Sequence, residues 1–125
     1  MATITSFQDL KVWQKAHALV LDMYALTTKL PTEERYALTS QMRRAAISVA
    51  ANIAEGFRRA SARESLRFYD IANASLEELR YEALVARDLA YFTTAETQMI
   101  EPKLEEVSKM LNSWIRSQKR NSRLA

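Results

Sequence analysis

The sequence predicts an all-α chain: an up-down-up-down antiparallel four-helix bundle. One glycine and two prolines in 125 residues leave too few turn formers for a β protein, which needs one about every ten positions. Apolar residues recur every three to four positions through most of the chain, the period of a helix face. The few breaking and capping signals cut that pattern into four long segments joined by short connections, and short connections favour antiparallel neighbours. With 48% apolar and 26% charged residues, the chain suits one hydrophobic core in a single domain spanning 1–125.

The first helix is expected over 9–29. Leu10, Trp13, His17, Val20 and Tyr24 form one stripe, and Val12, Ala16, Leu19, Met23 and Leu26 form a second. Two stripes exceed what one neighbouring helix covers, so this helix is expected to touch the core and a further surface. Pro31 separates it from a second helix over 33–58, whose core stripe is Leu38, Met42, Ala45, Val49, Ile53 and Gly56. Ser61 and Glu64 read as a capping box opening a third helix over 62–91. Its buried stripe of Tyr69, Ala72, Leu76, Leu79, Ala83, Ala86 and Ala90 is lean enough for close axial approach. A second capping box, Thr93 and Glu96, opens the fourth helix over 94–119, with a stripe of Ile100, Leu104, Val107, Leu111 and Trp114. Pro102 inside it predicts a kink or restart, and a basic tail over 119–125 follows.

The absence of cysteine excludes disulfides, thiolate metal sites and a cysteine nucleophile. The opening "MATITSFQDL" has no basic region followed by an apolar run, so no signal peptide is expected. No apolar run approaches the ~18 residues of a membrane span; the expectation is a cytoplasmic protein with no membrane partner. The net charge of +3 is unevenly spread: residues 35–67 hold seven arginines against Glu55 and Glu64. Such asymmetry predicts a positive face.

Gln41, Arg44, Ser48, Asn52, Glu55 and Arg59 fall on one ribbon of the second helix, bordered by Ala45, Ala46, Ala50, Ala51 and Ala54. A solvated face more often carries long lysines and glutamates, so this ribbon is read as a structural polar network meeting another helix. Ser75, Glu78 and Glu82 on the third helix offer it partners. Arg44 or Arg59 could meet one of these carboxylates within the chain or across a subunit boundary.

The segments "FQDLKVWQKA", "QMRRAAISVAANIAEGFRR" and "ASLEEL" resemble, in order and spacing, the four-helix bundle proteins encoded by intervening sequences in bacterial 23S ribosomal RNA genes. The Gln-x-x-Arg-(x)3-Ser-(x)3-Asn-Ile-Ala-Glu-Gly pattern is its specific part. The resemblance runs from Phe7 to about Ile115, and in the last helix it is hydrophobic only. It implies a homopentameric ring and kinship with the accessory variability proteins of diversity-generating retroelements, basic pentamers that engage nucleic acid and a reverse transcriptase.

Nucleic-acid binding, to RNA or DNA, is therefore one expected function. Arg43, Arg44, Arg58, Arg59, Arg63 and Arg67 cluster around the second helix and the corner after it, and Arg116, Lys119, Arg120 and Arg123 end the chain. No recognition motif or aromatic stacking platform accompanies them, so backbone-directed binding is expected. The alternative is a structural or adaptor module with a protein partner, docking through the second stripe of the first helix and the Trp13/Trp114 pair. Enzymatic chemistry finds no support. His17 is the single histidine and has Gln14 three residues before it, so the Glu-x-x-His pairs of di-metal bundles are missing. No catalytic residues, metal or cofactor are expected.

Overall fold

A computed structural model of the protein describes residues 3–124, with side chains as far as Ser122. Four helices carry the chain: α1 (Lys11–Thr27), α2 (Leu38–Phe57), α3 (Ala62–Asp88) and α4 (Thr94–Leu124). Among the described residues there is no strand.

The side-chain pairings give the direction of each helix. Ser48 of α2 meets Ser75 of α3, and Gly56 packs on Tyr69. From α3 to α4, Asn73 meets Asn112, Arg80 meets Ser108 and Arg87 meets Glu101. From α1 to α4, Lys15, Asp22 and Lys29 meet Glu106, Lys103 and Glu96. In each series rising numbers on one helix meet falling numbers on the other, so α2–α3, α3–α4 and α4–α1 are antiparallel, which leaves α1 and α2 antiparallel as well. Helices adjacent in sequence lie side by side, α1 also lies beside α4, and among the described residues the backbones of the diagonal pairs α1–α3 and α2–α4 do not approach closely. The result is a square up-down-up-down bundle.

Of the two stripes on α1, the core takes Val12, Ala16, Leu19, Met23 and Leu26. The other faces outward, with His17 and Tyr24 exposed and Trp13 and Val20 half-buried, except for its first residue, Leu10, which is buried in the core. In α4, Ile100, Leu104, Val107 and Leu111 are buried. Trp114 is half-buried, and Ile115 completes the seam in its place.

The ends of the helices depart from the sequence reading for local reasons. Asp9 lies outside α1, as the third residue of a short 3-10 helix whose capping box it completes with Ser6. Its Oδ2 accepts from the backbone N–H of Thr5 (3.0 Å) and Ser6 (3.1 Å) over a 3-10 turn, Phe7–Asp9. Those two bonds hold the Asp9 carboxyl below its ordinary range, and Leu10 is extended (φ −78°, ψ 126°) before α1 starts. Pro31 caps a second 3-10 turn, Thr32–Glu34, and α2 begins only at Leu38. The Thr93 box closes both ways, at 2.8 and 3.1 Å. At Ser61 one bond forms, Glu64 N–H to Ser61 Oγ at 3.2 Å. Pro102 does not restart α4, which runs through it and onward through the expected tail. Its ring removes the bond to the Gln98 carbonyl, but both residues are exposed, so water can serve the freed acceptor.

The third helix stops at Asp88, and Ala90, expected in its buried stripe, is exposed with φ 61°. The Tyr91 N–H reaches the Ala86 carbonyl (2.8 Å) and the Ala90 N–H reaches Arg87 (2.9 Å), the two bonds of a Schellman cap. Glycine ordinarily holds this position, and alanine there concealed the stop signal. A left-handed non-glycine residue costs roughly 1–2 kcal/mol. Ala90→Gly is therefore expected to stabilise the chain by about 1 kcal/mol after its entropic cost. Denaturant unfolding measures this, and an unchanged or lowered midpoint contradicts it.

Candidate nucleic-acid interface

Antiparallel packing sorts the charges by end. The half holding the α2–α3 corner also holds the start of α1 and the end of α4. It gathers Lys11, Arg58, Arg59, Arg63, Arg67, Lys109, Arg116, Lys119 and Arg120. Its carboxylates are Asp9, Glu55, Glu64, Asp70, Glu105 and Glu106, and four of these are engaged: Asp9 by backbone N–H groups, Glu55 by Arg59, Glu105 by Lys109 and Glu106 by Lys15. The opposite half carries Asp22, Glu33, Glu34, Glu77, Glu78, Glu82, Asp88, Glu96 and Glu101 against Lys29, Arg35, Arg43, Arg44, Arg80, Arg87 and Lys103, many of them paired with these carboxylates. The molecule is polarised along its length. The basic block 35–67 is split between the two ends, and Lys11 and Lys109, which sequence reasoning left out, join the positive one.

The predicted arginines differ in how free they are. Arg43 is committed to the fold: its Nε donates to Thr27 Oγ1 at 2.8 Å and its guanidinium lies 4.5 Å from the Tyr24 ring centre. It ties α2 to the end of α1. Arg59 pairs with Glu55 one turn back and covers the Phe68 ring at 4.6 Å. Arg58, Arg63 and Arg67 are exposed, and among the described residues they form no ion pair. Arg44 is likewise exposed and unpaired, but in the opposite half. Arg116, Lys119 and Arg120 are exposed on α4; the side chain of Arg123 lies outside the described residues.

Two concavities mark the basic half. A groove of about 790 Å³ between α1 and α4 is floored by Leu10, Val12, Met110 and Trp114 and edged by Lys11, Lys109 and Arg120. The other, lined by Ala60, Ser61, Arg63, Leu66 and Ser122, brings the end of α4 beside the α2–α3 corner. Trp114 packs edge-on against Tyr69, ring centres 6.1 Å apart, so its indole belongs to the wall of the bundle. Trp13 is stacked on His17 at 4.9 Å and meets the edge of Phe7 at 5.0 Å on the outer face of α1.

The polar ribbon resolves into three groups. Ser48 and Ser75 share a hydrogen bond of 2.7 Å, and Asn52 Nδ2 donates to the Ser48 carbonyl (2.8 Å) and Oγ (3.0 Å). Glu55 belongs to Arg59. Gln41, Glu78 and Glu82 line a separate cleft between α2 and α3, where Glu82 is buried. Burial, then the neighbouring Glu78 carboxylate, push the Glu82 carboxyl up to about 7. A second polar seam, Asn73, Asn112, Ser108 and Arg80 between α3 and α4, went unmarked in sequence because its members lie on different helices without a shared period. Among the described residues no cluster of His, Cys, Asp or Glu could hold a metal ion. No helix among them is long and apolar enough to cross a membrane.

A family model for the 23S rRNA-intervening sequence protein matches residues 8–113. Among solved structures, the chain is similar to a protein of unknown function from the S23 ribosomal protein family of Bacteroides thetaiotaomicron. The TM-score is 0.77 at 24% identity, covering 84% of this chain and 95% of the other. That likeness concerns the fold. No curated protein matches.

Proposed function

The chain belongs to the 23S rRNA-intervening sequence protein family, and from that premise we propose that it is a non-enzymatic, self-associating bundle that binds RNA or DNA through backbone phosphates. The observation that carries this reading is the collection of exposed, unpaired Arg58, Arg63 and Arg67 in the same half as Lys119 and Arg120. Guanidinium groups engage phosphate oxygens through paired N–H donors, and each phosphate neutralised releases counterions. Self-association multiplies such contacts by repeating the basic end around an assembly; the family resemblance implies five copies. Among the described residues the basic half shows no recognition motif for base edges, so affinity is expected to follow charge density rather than sequence.

A salt titration tests this. Fluorescence anisotropy with two RNA and two DNA oligomers of unrelated sequence is expected to give affinities within a few-fold of one another. Log K should fall linearly with log salt, by about 0.7 to 0.9 for each phosphate neutralised. A near-zero slope, or strong preference for one sequence, contradicts backbone-directed binding.

A further inference from the structure

The cleft between α2 and α3 leaves a carboxylate without compensation. Glu82 keeps only 5% of its surface exposed. Among the described residues neither of its carboxylate oxygens receives a hydrogen bond, and Oε1 is buried without any partner. Native proteins rarely leave a buried carboxylate unserved, because desolvation without a partner is costly. The surroundings worsen matters: Glu78 and Glu34 line the same cleft of about 410 Å³. Glu34 has a donor of its own, the Tyr91 hydroxyl at 2.9 Å, but Glu78 does not neutralise Glu82. Burial, then Glu78, push its carboxyl up. Leu38 and Val85 supply apolar wall, suited to the methylene stem of a long basic side chain.

The complementary group is on the same molecule. Arg44 is exposed, makes no ion pair among the described residues, and lies beside the exposed Ile47 and Tyr36 on the α1 side of α2. Its guanidinium carries charge and several donors, enough to serve Glu82 and Glu78 together. We propose that the Glu78–Glu82 cleft is a guanidinium site filled by Arg44 of a second copy of this chain, an interface built on the α2 surface. Ile47, Tyr36 and Tyr81, exposed by 44%, 88% and 66%, flank the contact and are covered by it. This rests on the self-association proposed above and is independent of nucleic acid.

The test uses the full chain without nucleic acid, with mass measured by sedimentation and native mass spectrometry. The native protein is expected well above the 14.4 kDa of one chain. Arg44→Glu and Glu78→Arg, both at exposed positions, should each dissociate at concentrations at least tenfold higher while keeping their helical spectrum. The double variant Arg44→Glu with Glu78→Arg should reassemble, because at every boundary between copies the introduced carboxylate meets the introduced guanidinium. Glu82→Gln, which keeps the shape, should weaken assembly yet raise the melting temperature of the dissociated chain by removing a buried ionisable group. A monomeric native protein, single variants that stay assembled, or a double variant that stays dissociated would each overturn the proposal. The last result would show that positions 44 and 78 do not face each other across a boundary between copies. Loss of nucleic-acid binding with assembly intact would bear only on the basic half.

Discussion

Gly56→Leu is expected to abolish cooperative folding, and Gly56→Ala to destabilise the chain by roughly 1–2 kcal/mol. Gly56 is helical, so its role is not a special backbone angle. A Cβ there would lie 2.8 Å from Tyr69 Cδ1, 3.0 Å from Cζ and closer still to Cε1. Tyr69 cannot step aside: it is 1% exposed and wedged against Trp114. In an open helix alanine would gain about 1 kcal/mol over glycine, and here the overlap outweighs that gain. The side-chain carbons of leucine have no space at all, and such losses exceed about 4 kcal/mol. Urea unfolding decides, and a raised midpoint for Gly56→Ala would show that α2 and α3 are not in the close contact described.

Reversing Arg58, Arg63 and Arg67 together to glutamate is expected to lower affinity for RNA and DNA at low salt by at least about a hundredfold. The fold should survive. All three are exposed and unpaired, and surface changes of this kind usually stay within about 0.5 kcal/mol. Glutamate at 63, in the first turn of α3, even complements the helix dipole, whereas at 58, the end of α2, it opposes it. Arg43→Glu is the informative contrast. It removes the tie to Thr27 and Tyr24 and should therefore lower stability, with little effect on affinity. The opposite pattern would move the interface to the other end of the bundle.

The sequence made the helices legible because their apolar periods are long and their breakers few. The α1 core stripe and the Thr93 box are found where periodicity and capping chemistry put them. What escaped was set by geometry between helices. Nothing in the order of residues marks Ala90 as a left-handed cap, Asp9 as a cap carboxylate or Gly56 as the seat of the Tyr69 ring. The basic segment read as one block is split because an α2 of twenty residues carries Arg44 and Arg58 to opposite ends. The polar ribbon was visible as a period. Its division into a Ser48–Asn52–Ser75 cluster, a Glu55–Arg59 pair and an unserved Glu82 depends on where α3 lies.

The central claim is that phosphate neutralisation by the basic half holds the nucleic acid. Comparing log K against log salt for the native chain and for the Arg58, Arg63 and Arg67 reversal measures it most directly. The account predicts a slope shallower in the variant by about two to three for each bound copy, three contacts at 0.7 to 0.9 each. Equal slopes in the two proteins would contradict it.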